Sequence, residues 1–228
     1  MQFQEPVRIV VATHLSRKPA KRSFAAAAVG MGVLVAASFA FWNNWHNLAF
    51  QLPAIPERVF VNHEYWRLFT ALLIHSNADH LISNGLLFCI LSYLLYGYFG
   101  WVAFPFLSVL FGALTNFISL LTYPPGTELL GASGMIYWMA AFWLALYVVL
   151  DTQQAWRGRL LRSAGFVLCL LVPTRFEANV SYRTHGIGFA LGLLAGGLYY
   201  LANRKRLKRS EVAEFEPPEP VGPHAHWN

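Results

Sequence analysis

The chain has 228 residues, of which 56% are hydrophobic, 16% aromatic and only 12% charged, with a mean hydropathy of +0.42. Soluble domains carry about a quarter charged residues, so this composition excludes an ordinary soluble globule and must be read against a bilayer. The net charge of +6 does not signal a nucleic-acid partner, because thirteen of the seventeen Lys and Arg lie in three segments flanking apolar runs, where topology and anionic lipid account for them.

Residues 1–22 form a basic tail carrying Arg8, Arg17, Lys18, Lys21 and Arg22. Apolar runs follow at 24–42, 80–99, 101–123, 129–150, 160–173 and 185–201, and most approach the ~20 residues that cross a bilayer as helix. The first run follows a basic segment but is long and lacks a small-residue cleavage site, so it is read as a retained helix rather than a signal peptide. The 43–79 loop with its neighbour Trp42 carries Trp45, Tyr65, Trp66, Pro53 and Pro56, aromatics suited to the headgroup level. The 160–173 run is the shortest of the six.

Arg157, Arg159 and Arg162 separate the fourth and fifth runs, and Arg204, Lys205, Arg206, Lys208 and Arg209 follow the last. The positive-inside rule sets all three basic segments in the cytoplasm, which requires an even number of spans and agrees with six. The expected organisation is a basic cytoplasmic tail at 1–22, a six-helix membrane domain at 23–203 and a cytoplasmic, disordered tail at 204–228, Pro-rich and acidic from 210. The fold class is therefore an all-α membrane protein. No repeat or inverted symmetry of the kind found in transporters is visible. Cys89 and Cys169 each sit in an apolar run and build neither a disulfide framework nor a four-cysteine metal site.

Polar groups in apolar spans are costly unless satisfied, which makes them functional candidates. The first is Gly131-Ala132-Ser133-Gly134, preceded by Leu129 and Leu130, so Ser133 is expected below the membrane surface. A helix starting there leaves backbone N–H groups unpaired, and the glycines admit a substrate backbone, as an oxyanion hole requires. The same tetrapeptide also serves as a small-residue helix contact. The second is His185, followed by Gly188, Gly192 and Gly196 at spacings that share one helical face. That face lets the last helix lie against the helix that begins at Gly131 and brings His185 to Ser133, where a histidine can act as base and then acid. A lone interfacial histidine bonded to backbone remains the alternative. The third is His80 with Asn84, at i and i+4, two neutral donors on one face suited to an oxyanion or, equally, to a helix-end network.

His75 and His80 are five apart, about 140° around a helix, and no H-E-x-x-H occurs, so a zinc protease is rejected and neither metal nor cofactor is expected. None of the eleven acidic residues lies within a span, which excludes an intramembrane aspartate pair and argues against a Ser-His-Asp triad.

Over about residues 60–201 this combination resembles the rhomboid family of intramembrane serine proteases. The G-x-S-G motif matches Gly131 to Gly134, with the tyrosine that packs on the catalytic histidine at Tyr137. H-x-x-x-N matches His80 and Asn84, with the upstream histidine at His75; H-x-x-G-x-x-x-G matches His185, Gly188 and Gly192. The first-loop Trp-Arg pair matches Trp66 and Arg67, while Gly186, directly after the histidine, departs from the pattern.

The resemblance implies a minimal six-helix rhomboid-like bundle with a Ser133–His185 dyad and an oxyanion site at His80 and Asn84. Gly131, Gly134, Tyr137, Gly188 and Gly192 would be supporting residues. The expected activity is endoproteolysis of single-span membrane proteins within or near their transmembrane segments, in a bacterial inner (plasma) membrane with both termini cytoplasmic. The expected partners are transmembrane substrates and the bilayer. A catalytically silent rhomboid-like protein that binds membrane helices is the alternative, and a small transporter or channel is a further rival.

Overall fold

A computed structural model describes residues 7–171 and 181–216. The apolar runs fold as helices because, in hydrocarbon, only an internally hydrogen-bonded backbone avoids unpaired N–H and C=O groups. In chain order the helices are α1 (Ser23–Trp42), the short α2 (Leu48–Gln51) and α3 (Arg67–Thr70), α4 (Ala78–Phe99), α5 (Ser108–Leu120), α6 (Ser133–Leu150), α7 (Trp156–Phe166) and α8 (Tyr182–Lys208). Two strands, β1 (Val7–Ala12) and β2 (Val212–Glu216), bracket them.

Among the described residues five helices are long and apolar enough to span: α1, α4, α5 with its lead-in from Val102, α6, and α8. The all-α membrane bundle read from the sequence is the observed architecture. The run expected at 160–173 falls on α7 and a wide turn at Val167–Leu171, and its last two residues lie outside the described residues. α7 is only 11 residues long and carries Arg157, Arg159 and Arg162, so by itself it does not supply a sixth span.

The core is centred on α6. Trp138, Met139, Ala140, Ala141, Phe142 and Leu146 are fully buried, so this helix meets protein on nearly every side. Its closest neighbour is α8, through glycine. A Cβ built at Gly188 would lie 2.3 Å from the Gly134 carbonyl oxygen, one at Gly192 2.4 Å from that of Trp138, and one at Gly196 2.7 Å from Ala145 Cβ. Only hydrogen fits at these three positions. They recur every four residues, and this repeat lets two membrane helices approach backbone to backbone.

The connection between α1 and α4 is closed on itself by Arg67, which is 2% exposed. Its guanidinium donates to the carbonyl oxygens of Phe50 and Pro53, both at 3.0 Å, and to those of Gln51 and the Glu64 carboxylate. One planar fork thus satisfies three backbone acceptors and a charge. Ala54 and Leu129 exchange backbone hydrogen bonds, tying this loop to the segment entering α6. Asn116 Nδ2 on α5 donates to the Leu68 carbonyl oxygen at 2.9 Å.

The terminal segments differ from the sequence expectation. Residues 204–228 were expected to be disordered, yet α8 continues to Lys208 and β2 pairs antiparallel with β1, Arg8 facing Phe215 and Ile9 facing Glu214. The prolines that set the tail's composition all lie beyond Glu216, outside the described residues. The stretch before them, Val-Ala-Glu-Phe-Glu, alternates Val212, Glu214 and Glu216 with Ala213 and Phe215 and finds its partner in Val-Arg-Ile-Val-Val-Ala about 200 residues earlier, whose β-branched residues favour a strand. The Arg8–Glu211 ion pair at 2.6 Å and a Thr152 Oγ1 bond to Glu211 at 3.2 Å fasten the pair to the turn after α6.

Candidate active site

Ser133 is the first residue of α6. Two residues before it, Gly131 has φ of +114°, a backbone that glycine reaches without strain, and a Cβ there would lie 2.8 Å from the His80 ring. Gly131 is therefore required both by its backbone and by the close approach of His80. The Gly131 N–H donates to the Ala71 carbonyl oxygen at 2.8 Å, and the Ala132 N–H donates to His75 Nε2 at 3.4 Å. Among the described residues the Ser133 N–H has no acceptor, as expected for the first N–H of a helix.

His75 has no exposure. Because Nε2 accepts from Ala132, the ring proton of a neutral imidazole sits on Nδ1 and donates to Ser38 Oγ at 3.1 Å. The Trp42 indole N–H donates to the His75 carbonyl oxygen at 2.7 Å. His75 thereby links α1 to the turn that carries Ser133 and is placed as a support beneath it. Its ring meets His80 edge to face at 5.0 Å.

His80 lies in the first turn of α4, whose start is capped by Asn77 Oδ1 accepting from the His80 N–H at 2.9 Å. His80 Nδ1 is 3.2 Å from Ser76 Oγ. One turn further along, Asn84 has a buried Nδ2 with no hydrogen-bond partner among the described residues. An amide donor held without a partner in a buried position costs about 1–3 kcal/mol and is free to meet an incoming acceptor.

His185 is brought to this cluster by α8. The Tyr137 ring, one helical turn after Ser133, stacks on His185 with centroids 4.1 Å apart and planes 12° from parallel. Ser133 and His185 are thus placed on the facing surfaces of α6 and α8 that the glycines hold together. Tyr182 meets His185 edge-on at 6.1 Å. His185 and His80 are near enough to interact electrostatically. Among the described residues His185 Nδ1 is buried without a partner, no carboxylate bonds the ring, and no hydrogen bond joins it to Ser133 Oγ. Such contacts are often long before substrate is present.

Ser133, His185, Tyr137, Gly131, Gly134, Gly188, Gly192, His80 and Asn84 all stand out in the sequence itself. The polar group that fixes the start of α8 does not stand out in this way. Ser181 Oγ caps the helix by accepting from the Thr184 N–H at 3.2 Å, and Tyr123 Oη lies 3.3 Å from Thr184 Oγ1. A serine three residues before Thr184, at the head of an apolar run, is a capping signal that could have found it. Tyr182 carried no such signal. Among the described residues no three His, Cys, Asp or Glu side chains gather as metal ligands.

With this geometry stands the sequence comparison. Residues 62–202 match the Rhomboid domain family, more than half of the chain, and the protein belongs to the rhomboid family, as an integral, multi-pass membrane protein. It is similar to RHOMBOID-like protein 1 of Arabidopsis thaliana, at 26% identity over 139 residues. That similarity covers 61% of this chain and 36% of the plant protein, so the chain spans about a third of that relative's length.

Proposed function

We propose that this chain is an intramembrane serine endopeptidase that cleaves single-span membrane proteins within or near their transmembrane segments by a Ser133–His185 dyad. The observation that carries the reading is the stack of Tyr137 on His185 one turn from Ser133, at a helix start whose Ser133 N–H is unpaired. It is the arrangement of a nucleophile, an oriented base and an anion-binding turn. The cytoplasmic termini, the six spans and the 23–203 membrane domain belong to the same proposal, supported by the distribution of Lys and Arg.

A substrate segment unwinds at its outer end and presents a carbonyl carbon to Ser133 Oγ. His185 takes the hydroxyl proton as the Oγ–C bond forms. The negative charge that develops on the carbonyl oxygen is met by the Ser133 N–H, Asn84 Nδ2 and His80 Nε2, the last carrying a proton when the Ser76 hydroxyl donates to Nδ1. His185 then returns the proton to the leaving amine, and water releases the acyl group by the same sequence in reverse order. Gly131 and Gly134 leave room for the substrate backbone, and Gly188 and Gly192 hold the two helices at the required separation. Stacking by Tyr137 fixes the orientation of the His185 ring, which is one of the parts a carboxylate plays in a triad.

The test is incubation of the purified protein in liposomes with labelled single-span substrates, beside Ser133→Ala. Wild type alone should release a discrete fragment. The second reading, a silent binder of membrane helices, predicts that substrate is retained by both forms and cut by neither.

A further inference from the structure

The polar cluster accounts for one end of α8; the other end carries an arrangement that proteolysis does not use. Leu194, Leu198 and Leu201 are 61%, 57% and 62% exposed, and with Lys205 and Lys208 they recur at intervals of four and three residues. At 100° per residue all five fall within about 40° of one line along the helix. Three leucines at hydrocarbon depth therefore run directly into two cations, with Lys205 about 6 Å beyond Leu201 along the axis. Tyr200, Leu201, Arg204, Lys205 and Lys208 line one open groove at this junction.

The cations are not spoken for. Among the described residues the ion pairs are Arg8–Glu211, Arg58–Glu64 and Arg67–Glu64, so Arg204, Lys205 and Lys208 have no carboxylate partner. Glu211, which also feels Lys208, is drawn to Arg8. Neither Lys205 nor Lys208 makes a side-chain hydrogen bond among the described residues.

We propose that this face of α8 is a binding site for one anionic phospholipid of the surrounding bilayer, its acyl chain along Leu194, Leu198 and Leu201 and its headgroup phosphate on Arg204, Lys205 and Lys208. Apolar contact alone would accept any lipid; the uncompensated cations confer selection for net negative charge. The site lies at the end of α8 away from His185, and it stands whether or not Ser133 is a nucleophile.

The test is native mass spectrometry of the detergent-purified full chain, offered equal amounts of phosphatidylglycerol and phosphatidylcholine with matched acyl chains. Wild type should retain phosphatidylglycerol in preference, and the preference should fall by about fivefold for each cation removed in the series Lys205→Gln, Lys208→Gln and Arg204→Gln. Leu198→Ser should lower retention of both lipids alike, and Arg183→Gln, at the opposite end of α8, should leave the preference intact. Equal retention of the two lipids by wild type, or an unchanged preference in the triple variant, overturns the proposal.

Discussion

Gly188→Ala puts one methyl group against the backbone of the neighbouring helix. The added Cβ would lie 2.3 Å from the Gly134 carbonyl oxygen and 3.2 Å from its carbon, where non-bonded atoms settle at about 3.5–4.0 Å. Neither partner is a flexible side chain, so relief requires α8 to move away from α6 by about 1 Å, carrying His185 with it. A displacement of that size in a reacting group costs about 100-fold in rate. The overpacking costs about 1–3 kcal/mol, partly offset by the ~1 kcal/mol that alanine gains over glycine inside a helix. Initial cleavage rates in liposomes should therefore fall about 100-fold while the unfolding midpoint changes little. Gly197→Ala on the same helix, where a Cβ meets nothing within 4 Å, should leave the rate unchanged and raise the midpoint slightly. A Gly188→Ala protein that cleaves within twofold of wild type would refute the claim that the glycine contact sets the position of His185.

Arg67→Ala strips a 2% exposed guanidinium from three carbonyls and Glu64 and should destabilise by about 3 kcal/mol, read as a lower unfolding midpoint in detergent; Arg67→Lys should not restore it, lacking the fork. His75→Phe leaves the Ala132 N–H without its acceptor, while the Ser38 hydroxyl keeps its bond to the Leu73 carbonyl oxygen, and should cost about 1–3 kcal/mol, with reduced cleavage because the turn that carries Ser133 loses its support. His14, 5% exposed and joined to the Tyr98 carbonyl oxygen at 2.9 Å, has its pKa held below 6.5 by burial and by Arg17 and Arg206 against the opposing effect of the Tyr98 bond. The unfolded chain then binds the proton more readily, so stability is full above pH 6.5 and falls as pH drops below it. The unfolding midpoint should decline between pH 7 and 5, and His14→Gln should flatten that slope.

The bilayer-spanning helices were legible because length and hydropathy are local properties, and the α6–α8 contact because the spacing of Gly188, Gly192 and Gly196 is itself a statement about one helical face. The pairing of β1 with β2 was not legible: strand pairing across 200 residues leaves no local mark, and averaging the tail's prolines with Val212–Glu216 concealed a short strand. The sequence likewise left Gly-Ala-Ser-Gly open between a helix contact and an anion site. The structure gives Gly134 the first role, against Thr184, Thr115 and the Gly188 position, and gives Gly131 a positive φ beside His80. Arg67 could be singled out by its Trp-Arg pair, but not the three carbonyls it gathers, since those depend on how the loop closes.

The most direct measurement is to treat the detergent-solubilised protein with a fluorophosphonate, which phosphonylates an activated serine with loss of fluoride, and to locate the adduct by peptide mass spectrometry. The account predicts one adduct, on Ser133, absent in Ser133→Ala and strongly reduced in His185→Ala. An adduct on another serine, or labelling of Ser133 that is indifferent to His185, would contradict it.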